Sequence, residues 1–229
     1  MTYVLHYAPD NASLIVRMAL DTLGQSFTTQ LVDRSTQGQR APAYLALNPN
    51  GLIPTLITPQ GPIFETGAIL LWLVDRHAGL GPAVADATRA DFLKWLFFCA
   101  NTVHAQMALL FYPQKLVGED VQMQHAVQRG VQTSLRRHFQ TLNAADTRAF
   151  GRDTPTAIDL YIATLLRWCA LYGPDDRAWF RLVDTPVLSH LCHNVEAMPA
   201  AAKAQAAEGL GPTPFTAPQR PNPPEGSAV

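Results

Sequence analysis

Paired cysteines are absent from this chain of 229 residues. The three cysteines, Cys99, Cys169 and Cys192, stand far apart without a C-x-x-C pair, which argues against a dithiol redox centre or a cysteine-rich zinc site. The seven histidines show no H-E-x-x-H pattern, so we expect no metal site. Each cysteine falls in a helix-like segment, and free cysteine is among the most buried residue types. We therefore interpret all three as packing residues.

A charge excess and a long apolar run are also missing. The 17 Lys and Arg and the 18 Asp and Glu leave a net charge of -1, whereas nucleic acid or an anionic membrane would require a basic surface. The longest apolar run, 68–74, is far too short to span a bilayer. The N-terminus lacks the basic start and apolar core of a signal peptide. We expect a globular, cytoplasmic protein that binds neither nucleic acid nor membrane.

The first part of the chain alternates strand and helix patterns. Their order is strand–helix–strand, followed by strand–strand–helix. The predicted elements are a strand at 3–7, a helix at 14–23, a strand at 27–32, a short helix at 42–47, strands at 53–57 and 62–65, and a helix from 66 to about 77.

Beyond "HAGLGP" the strand patterns disappear and long helices are predicted at 87–111, 119–142, 156–172 and 186–207. Pro113 stops the first of these, and Gly173-Pro174 ends the third. Thr156 and Asp159 have the spacing of a capping box. The tail from Gly211 is rich in proline, and we expect it to be disordered or to lie on the surface.

Two short motifs predict backbone groups that are free to bind a ligand. In "LIPTL", Pro54 begins a strand run and cannot donate a ladder hydrogen bond, so it belongs at an edge or a strand start. The backbone of Ile53 is then free to pair with an extended, peptide-like ligand. In "FETG", Glu65 and Thr66 stand where a strand turns into a helix, and Thr66 is a plausible N-cap. The N–H groups and dipole of that helix favour a bound carboxylate.

A third helix start lies at "APDNAS", where Asp10, Asn11 and Ser13 are residue types that cap helices. Taken singly, the three features have ordinary explanations, namely an edge proline and two helix caps. Because they converge on one end of a small sheet, they predict a site for a short, anionic, peptide-like ligand.

Four segments carry a resemblance to a known family. The segments "LNPNGLIPTL", "FETGAILLWL", "PTAIDLYIATLLRW" and "VEAMPA" resemble motifs of the cytosolic glutathione transferases, most of all the bacterial beta class, over about residues 1 to 210. The resemblance implies an α/β thioredoxin-like domain (1–78), an all-α helical-bundle domain for the second substrate (87–210) and a proline-rich tail (211–229). It also implies a cytoplasmic, homodimeric detoxification enzyme with glutathione as co-substrate and no metal.

The resemblance implies roles for the motif residues. Ile53 would pair its backbone with the cysteinyl unit of glutathione, ahead of a cis Pro54. Glu65 and Thr66 would bind the γ-glutamyl end.

The glycine carboxylate of glutathione has no partner that matches a motif. Arg34 or Arg40 could meet it. Both arginines can equally be solvated surface charges, and we favour that interpretation.

The sequence departs from the beta class at the position of that class's cysteine. Ala12 stands where the resemblance places the cysteine of that class, so a mixed disulfide with glutathione is excluded at this position. The candidates for contacting the sulfur are, in order of preference, Asn11, Tyr7 and Ser13. Asn11 offers an amide donor beside the expected position, whereas Ser13 falls further into the helix and Tyr7 can point into the sheet. Asp10 has the wrong sign, because an ionised carboxylate repels a thiolate.

One neutral donor at a helix start is enough to activate a thiol. A free thiol has a pKa of about 8.5, and lowering it by about two units takes about 2.7 kcal/mol. A hydrogen bond to a charged group supplies about 1.5–3 kcal/mol, and a helix N-terminus supplies about 0.3–1 kcal/mol.

The helical part contributes a histidine and an apolar stripe. His104 shares a predicted helix face with Phe97, Ala100, Met107, Ala108 and Phe111. The segment "ANTVHAQMALLFYP" resembles the beta-class helix whose histidine reaches toward the sulfur, so His104 is either a catalytic donor or base, or a core histidine. The residues expected in the family's apolar second-substrate pocket are Met107, Phe111, Tyr112 and Trp168, although such a stripe is also typical of a core.

The preferred hypothesis is an enzyme that activates the thiol of glutathione for attack on a small apolar electrophile. One alternative is a glutathione-dependent disulfide or peroxide reductase without its own cysteine. Another is a binding or scaffold protein that keeps the fold and has lost catalysis, which Asp10 and Ala12 at the site would favour.

Overall fold

The structure is a computed structural model that describes residues 2–173 and 179–228. A four-stranded mixed sheet occupies the first part of the chain, in the order β2-β1-β3-β4. Strand β1 pairs parallel with β2 and antiparallel with β3, and β3 pairs antiparallel with β4. The strands are β1 (Tyr3–Tyr7), β2 (Phe27–Leu31), β3 (Thr55–Thr58) and β4 (Gly61–Phe64).

The helices of this part are α1 (Ser13–Thr22), α2 (Pro42–Leu45) and α3 (Thr66–Arg76), so the predicted thioredoxin-like order of elements is confirmed. Helix α1 is buried along most of its length, because the sheet covers one side and helix α3 and the later helices α8 (Ala157–Leu171) and α10 (Pro199–Glu208) contact it. Its apolar residues, such as Leu14, Met18 and Leu20, are fully buried with Leu5 of the central strand.

The second part of the described chain is helical. It comprises α4 (Arg89–Phe97), π-helical turns at Phe98–His104, α5 (Ala105–Phe111), α6 (Gln114–Val117), α7 (Val121–Asn143), α8 (Ala157–Leu171), α9 (Pro186–Glu196) and α10 (Pro199–Glu208). Thr156 and Asp159 form the predicted capping box at the start of α8. Pro174, which we expected to help end this helix, lies outside the described residues.

Two expectations about the helical part need correction. The predicted helix 87–111 contains π-helical turns, and the predicted helix 186–207 is two helices, since Pro199 starts α10 and cannot continue α9. For the tail we expected disorder or a position on the surface, and the described residues 211–228 lie on the surface and are anchored there. Phe215 is 1% exposed, and the carboxylate of Glu196 accepts the N–H groups of Phe215 and Thr216 at 2.8 and 3.0 Å.

The cysteines pack as expected. Cys99, Cys169 and Cys192 are free and buried, and burial raises the pKa of each thiol far above its ordinary value. Inert thiols of this kind contribute to the core and not to redox chemistry.

Candidate active site

A cavity of about 510 Å³ opens where the sheet meets the helices. The predicted residues that line it from the sheet side are Asn11, Ile53, Pro54, Glu65 and Thr66, together with Ala12. Those that line it from the helical side are His104, Phe111, Tyr112 and Trp168. The fold thus brings the three motif features and the histidine together around one space.

The backbone of Ile53 stands free at the sheet end of this cavity. The preceding carbonyl, on Leu52, accepts hydrogen bonds from Tyr44 Oη at 2.6 Å and from Asn48 Nδ2 at 2.8 Å, which fixes the loop. Gly51 has φ +61°, and a Cβ there would meet the Gln39 carbonyl at 2.9 Å, so the turn requires glycine. The Ile53-Pro54 bond is cis, as the resemblance implies. Among the described residues, neither the N–H nor the C=O of Ile53 makes a hydrogen bond.

The N-terminus of α3 also faces the cavity. Thr66 was expected to be the N-cap, but it is the first helical residue, and Glu65 occupies the cap position with φ 70°. A positive φ is uncommon outside glycine and often marks a functional position. Within the described chain no side chain caps α3, whereas Asp120 caps α7 and Thr156 caps α8. The first-turn N–H groups of α3 are therefore available for an anion.

Asn11 is the predicted donor that stays available at the start of α1. Its Oδ1 accepts the N–H of Ala12 at 3.1 Å. Its Nδ2 makes no hydrogen bond to any residue that the structure describes, and Asn11 lines the cavity. An amide donor thus stands beside Ala12, the position at which the family resemblance implies the sulfur.

Tyr7 and Ser13 do not line the cavity, so we no longer consider them candidates for contacting the sulfur. The Tyr7 hydroxyl donates to Glu225 of the tail, the Arg17 guanidinium lies 4.7 Å from its ring centre, and burial raises the pKa of Tyr7. The Ser13 hydroxyl donates to the Ala8 carbonyl at 3.0 Å and accepts the Ala8 N–H at 3.3 Å. Both side chains are almost fully buried.

Asp10 does not repel an anion in the way that its sequence position suggested. Its buried carboxylate accepts a pair of hydrogen bonds from Arg167, both at 2.9 Å. Tyr172 Oη donates to the same carboxylate at 2.6 Å, and Trp168 Nε1 donates to it at 3.1 Å. The negative charge is therefore neutralised by the arginine beside it.

His104 lies on the π-helical turns and forms part of the cavity wall. Its Nδ1 lies 2.8 Å from the Tyr161 hydroxyl, and its ring packs against Trp168 with centres 5.4 Å apart. Burial lowers the pKa of His104 to about 4 and raises the pKa of Tyr161, so the imidazole is neutral and the phenol protonated at neutral pH. We assign the phenol as donor to Nδ1, which leaves Nε2–H as a donor.

The predicted second-substrate residues divide between cavity and core. Phe111, Tyr112 and Trp168 line the cavity, whereas Met107 is fully buried and packs in the core. The expectation that Met107 lines the pocket is not met, because this side chain is buried in the core, whereas Phe111 of the same helix lines the cavity. Phe97, placed on the same predicted stripe, is 50% exposed.

Arg34 and Arg40 both line the cavity. Arg40 is exposed, in agreement with our interpretation of it as a solvated surface charge, whereas Arg34 is half-buried. Arg34 Nη2 donates at 3.0 Å to the hydroxyl of Tyr112, which belongs to the helical side of the cavity. Lys115 also lines the cavity, with its ammonium 4.4 Å from the centre of the Tyr112 ring. These cations suit an anionic ligand.

The sequence analysis did not identify several residues whose hydrogen bonds hold the candidate site in place. They are Tyr44, Asn48, Tyr161, Arg167 and Tyr172. Asn48 belongs to the "NPNG" motif, and Arg167 interrupts the apolar run "LLRWC". A charged residue inside such a run predicts a buried ion pair, since arginine is rarely buried without a partner.

Two negative findings apply to residues 2–173 and 179–228. No group of three or more His, Cys, Asp and Glu residues is placed to hold a metal ion. No helix in those ranges has both the length and the apolar character needed to cross a bilayer.

Comparison with known proteins places this architecture in a family. The sequence model for "Glutathione S-transferase, N-terminal domain" matches residues 12–76. Glutathione S-transferase GST-4.5 of Xanthomonas campestris pv. campestris is 30% identical over 175 residues, which cover 75% of this chain and 84% of that protein.

Solved structures agree with the sequence match. The glutathione S-transferase from Xylella fastidiosa is 28% identical with a TM-score of 0.78, and the match covers 91% of this chain and 100% of the other. A sphingomonad glutathione S-transferase complexed with glutathione is 26% identical with a TM-score of 0.73, with 91% and 100% covered. With a thioredoxin-like sheet followed by a helical part, and with these relatives, the chain belongs to the cytosolic glutathione S-transferase superfamily.

Proposed function

We propose that this protein is a glutathione transferase that binds reduced glutathione, holds its thiolate at the start of α1 and directs it at an apolar electrophile. The observation that carries the proposal is the convergence in one cavity of the free Ile53 backbone, the uncapped N-terminus of α3 and the Asn11 amide.

Glutathione binding uses the sheet side of the cavity. The cysteinyl unit pairs with the backbone of Ile53 as an added strand segment. The γ-glutamyl carboxylate binds the N–H groups at Thr66, and its ammonium binds Glu65. The glycine carboxylate is paired by Arg34 or Arg40, both of which line the cavity.

The thiol is activated by neutral donors. The Asn11 amide is the first of these, since its Nδ2 is uncommitted among the described residues. His104 is the second, because a neutral imidazole with its proton on Nε2 donates without changing charge. A hydrogen bond to the thiolate contributes about 1.5–3 kcal/mol, enough to lower the thiol pKa by about one to two units. No thiol of the protein takes part, because the three cysteines are buried.

The electrophile occupies the helical side of the cavity. Phe111, Tyr112 and Trp168 supply apolar and aromatic surface there. The sulfur attacks the electrophilic atom and displaces a leaving group or adds to a double bond, with orientation and thiolate formation supplying the rate enhancement. The expected assembly is a homodimer, which sedimentation equilibrium tests directly.

Calorimetry and turnover test the proposal. Titration with reduced glutathione should release or absorb heat at submillimolar to millimolar ligand, and a chlorinated aromatic should be conjugated with release of chloride. Turnover of a mixed disulfide without turnover of the chlorinated aromatic would favour a reductase. No binding of glutathione at millimolar concentration would leave only a binding or scaffold role.

A further inference from the structure

Asp10 is the centre of a buried hydrogen-bond network at the turn between β1 and α1. Its carboxylate is held by Arg167 and by Tyr172, and Trp168 Nε1 reaches both the carboxylate and the backbone carbonyl at 3.1 Å. Its N–H donates to Glu208 Oε2 at 2.8 Å. Asp10 itself has φ 50°, a left-handed conformation that determines the direction in which the chain continues to Asn11.

Arg167 connects this turn to the C-terminal tail. The side chain is fully buried, and its guanidinium donates to Asp10 through Nε and Nη2. The remaining donors reach the carbonyls of Leu210 at 3.3 Å, Pro214 at 2.9 Å and Gln219 at 3.1 Å. Five hydrogen bonds thus use the whole guanidinium fork and fix its plane.

The tail is itself held in place. The N–H of Asn222 donates to the Gly209 carbonyl at 2.8 Å, and Gly209 has φ +64° with no room for a Cβ beneath Asn222. Glu196 binds the backbone at Phe215 and Thr216. The segment 211–222 therefore forms a closed loop over Arg167.

A buried ion pair contributes little net stability, because desolvation offsets the attraction between the charges. The two-bond contact between a guanidinium and a carboxylate does impose one orientation on both partners. The network includes Asp10, the residue before Asn11, and three of its members, Asp10, Trp168 and Tyr172, line the cavity. A network at this position can fix the orientation of the turn between β1 and α1.

We propose that Arg167 is a positioning residue: it holds Asp10, and through Asp10 fixes the turn that presents the Asn11 amide to the glutathione sulfur, while segment 211–222 holds Arg167. The inference rests on the proposed function, since it takes the sulfur to lie beside Asn11. It adds that the tail takes part in thiol activation although the described tail residues do not line the cavity.

Two conservative variants separate positioning from charge. Arg167→Lys keeps the positive charge and loses the fork, and Asp10→Asn keeps the shape and loses the negative charge. If the network positions Asn11, both variants raise the pKa of the bound thiol, by about one unit or more, which is a tenfold loss in thiolate at low pH. If the network acted by charge alone, Asp10→Asn would leave an unpaired Arg167 and lower that pKa.

The measurement is the ultraviolet thiolate absorbance of bound glutathione as a function of pH, with the dissociation constant from calorimetry. The control is Leu188→Ala, a buried substitution in α9 away from the cavity, compared at an equal margin below its unfolding temperature. Three results together support the proposal. The thiol pKa is raised in Arg167→Lys and Asp10→Asn, and the dissociation constant of both variants, measured below the pKa of the bound thiol, stays within about threefold of the wild-type value. The thiol pKa is unchanged in Leu188→Ala. An unchanged or lowered thiol pKa in Asp10→Asn overturns it.

Hydrogen exchange of the ligand-free protein provides a test that does not depend on glutathione. Both network variants should exchange faster in segments 8–14 and 213–222 than Leu188→Ala, because the coupling between turn and tail is reciprocal. Exchange equal to that of the control in both segments overturns the proposal. If the wild type fails to bind glutathione, the proposed function fails, while the exchange result still decides whether Arg167 positions the turn.

Discussion

Replacement of Asn11 by alanine removes the donor that the proposed mechanism places first at the sulfur. The Asn11 Nδ2 group makes no hydrogen bond to the described residues, so its loss breaks no contact in the free protein except the acceptance of the Ala12 N–H by Oδ1. A hydrogen bond to a thiolate is worth about 1.5–3 kcal/mol. Its loss should raise the thiol pKa by about one to two units.

The assay is the pH dependence of kcat/KM for conjugation of a chlorinated aromatic. Below the thiol pKa, Asn11→Ala should reduce kcat/KM about 10- to 100-fold, and the acid limb should move to higher pH. Because burial lowers the pKa of His104 to about 4, that limb reports the thiol and not the imidazole. Tyr7→Phe is the matched control, since its hydroxyl is bound to Glu225 and does not line the cavity. A wild-type pH profile in Asn11→Ala, or an equal shift in Tyr7→Phe, would refute the assignment.

Three further predictions follow from the geometry. Glu65→Ala should weaken glutathione binding by up to about fivefold in calorimetry, because Glu65 is exposed and an exposed ion pair contributes about 0.2–1 kcal/mol. An unchanged dissociation constant would indicate that the γ-glutamyl end binds elsewhere. Burial raises the pKa of Glu208 from 4.5 to about 7 despite the neighbouring Arg17. The folded protein therefore keeps a proton that the unfolded chain loses, and this residue should make stability fall by about 3 kcal/mol as the pH rises from about 4.5 to 7. Denaturant titrations across that range should show this slope in wild type and not in Glu208→Gln; the same slope in both would contradict it. Met107→Ala should lower the free energy of unfolding by about 2–5 kcal/mol and leave the KM for the electrophile unchanged. Phe111→Ala should raise that KM. A raised KM in Met107→Ala would indicate that Met107 contacts the electrophile after all.

The sequence predicted the features that depend on local pattern and turn chemistry. The alternation of the first part predicted the order of strands and helices around the sheet, and "LIPTL" and "FETG" predicted a strand beginning near Pro54 and the start of α3. The cis Ile53-Pro54 bond was expected from the family resemblance alone. The capping box at Thr156 was also readable, because it depends on residues three positions apart. These signals depend on residues that are close in sequence, so they can be recognised without knowledge of tertiary contacts.

The features that were missed depend on contacts between distant parts of the chain. Proline richness left open whether the tail is disordered or lies on the surface, because the anchoring contacts come from Glu196 and Arg167, which lie outside the tail. Apolar periodicity predicted which residues share a helix face, but it could not show whether Met107 meets the core or the cavity. Asp10 looked like a repulsive charge because its partner lies 157 positions away in sequence.

The central claim is that the sulfur of bound glutathione rests beside the Asn11 amide as a thiolate. The most direct test is an ultraviolet pH titration of the wild-type protein saturated with glutathione. The account predicts a thiol pKa about two units below the value of about 8.5 for a free thiol. A bound thiol that titrates at or above the free value would contradict it.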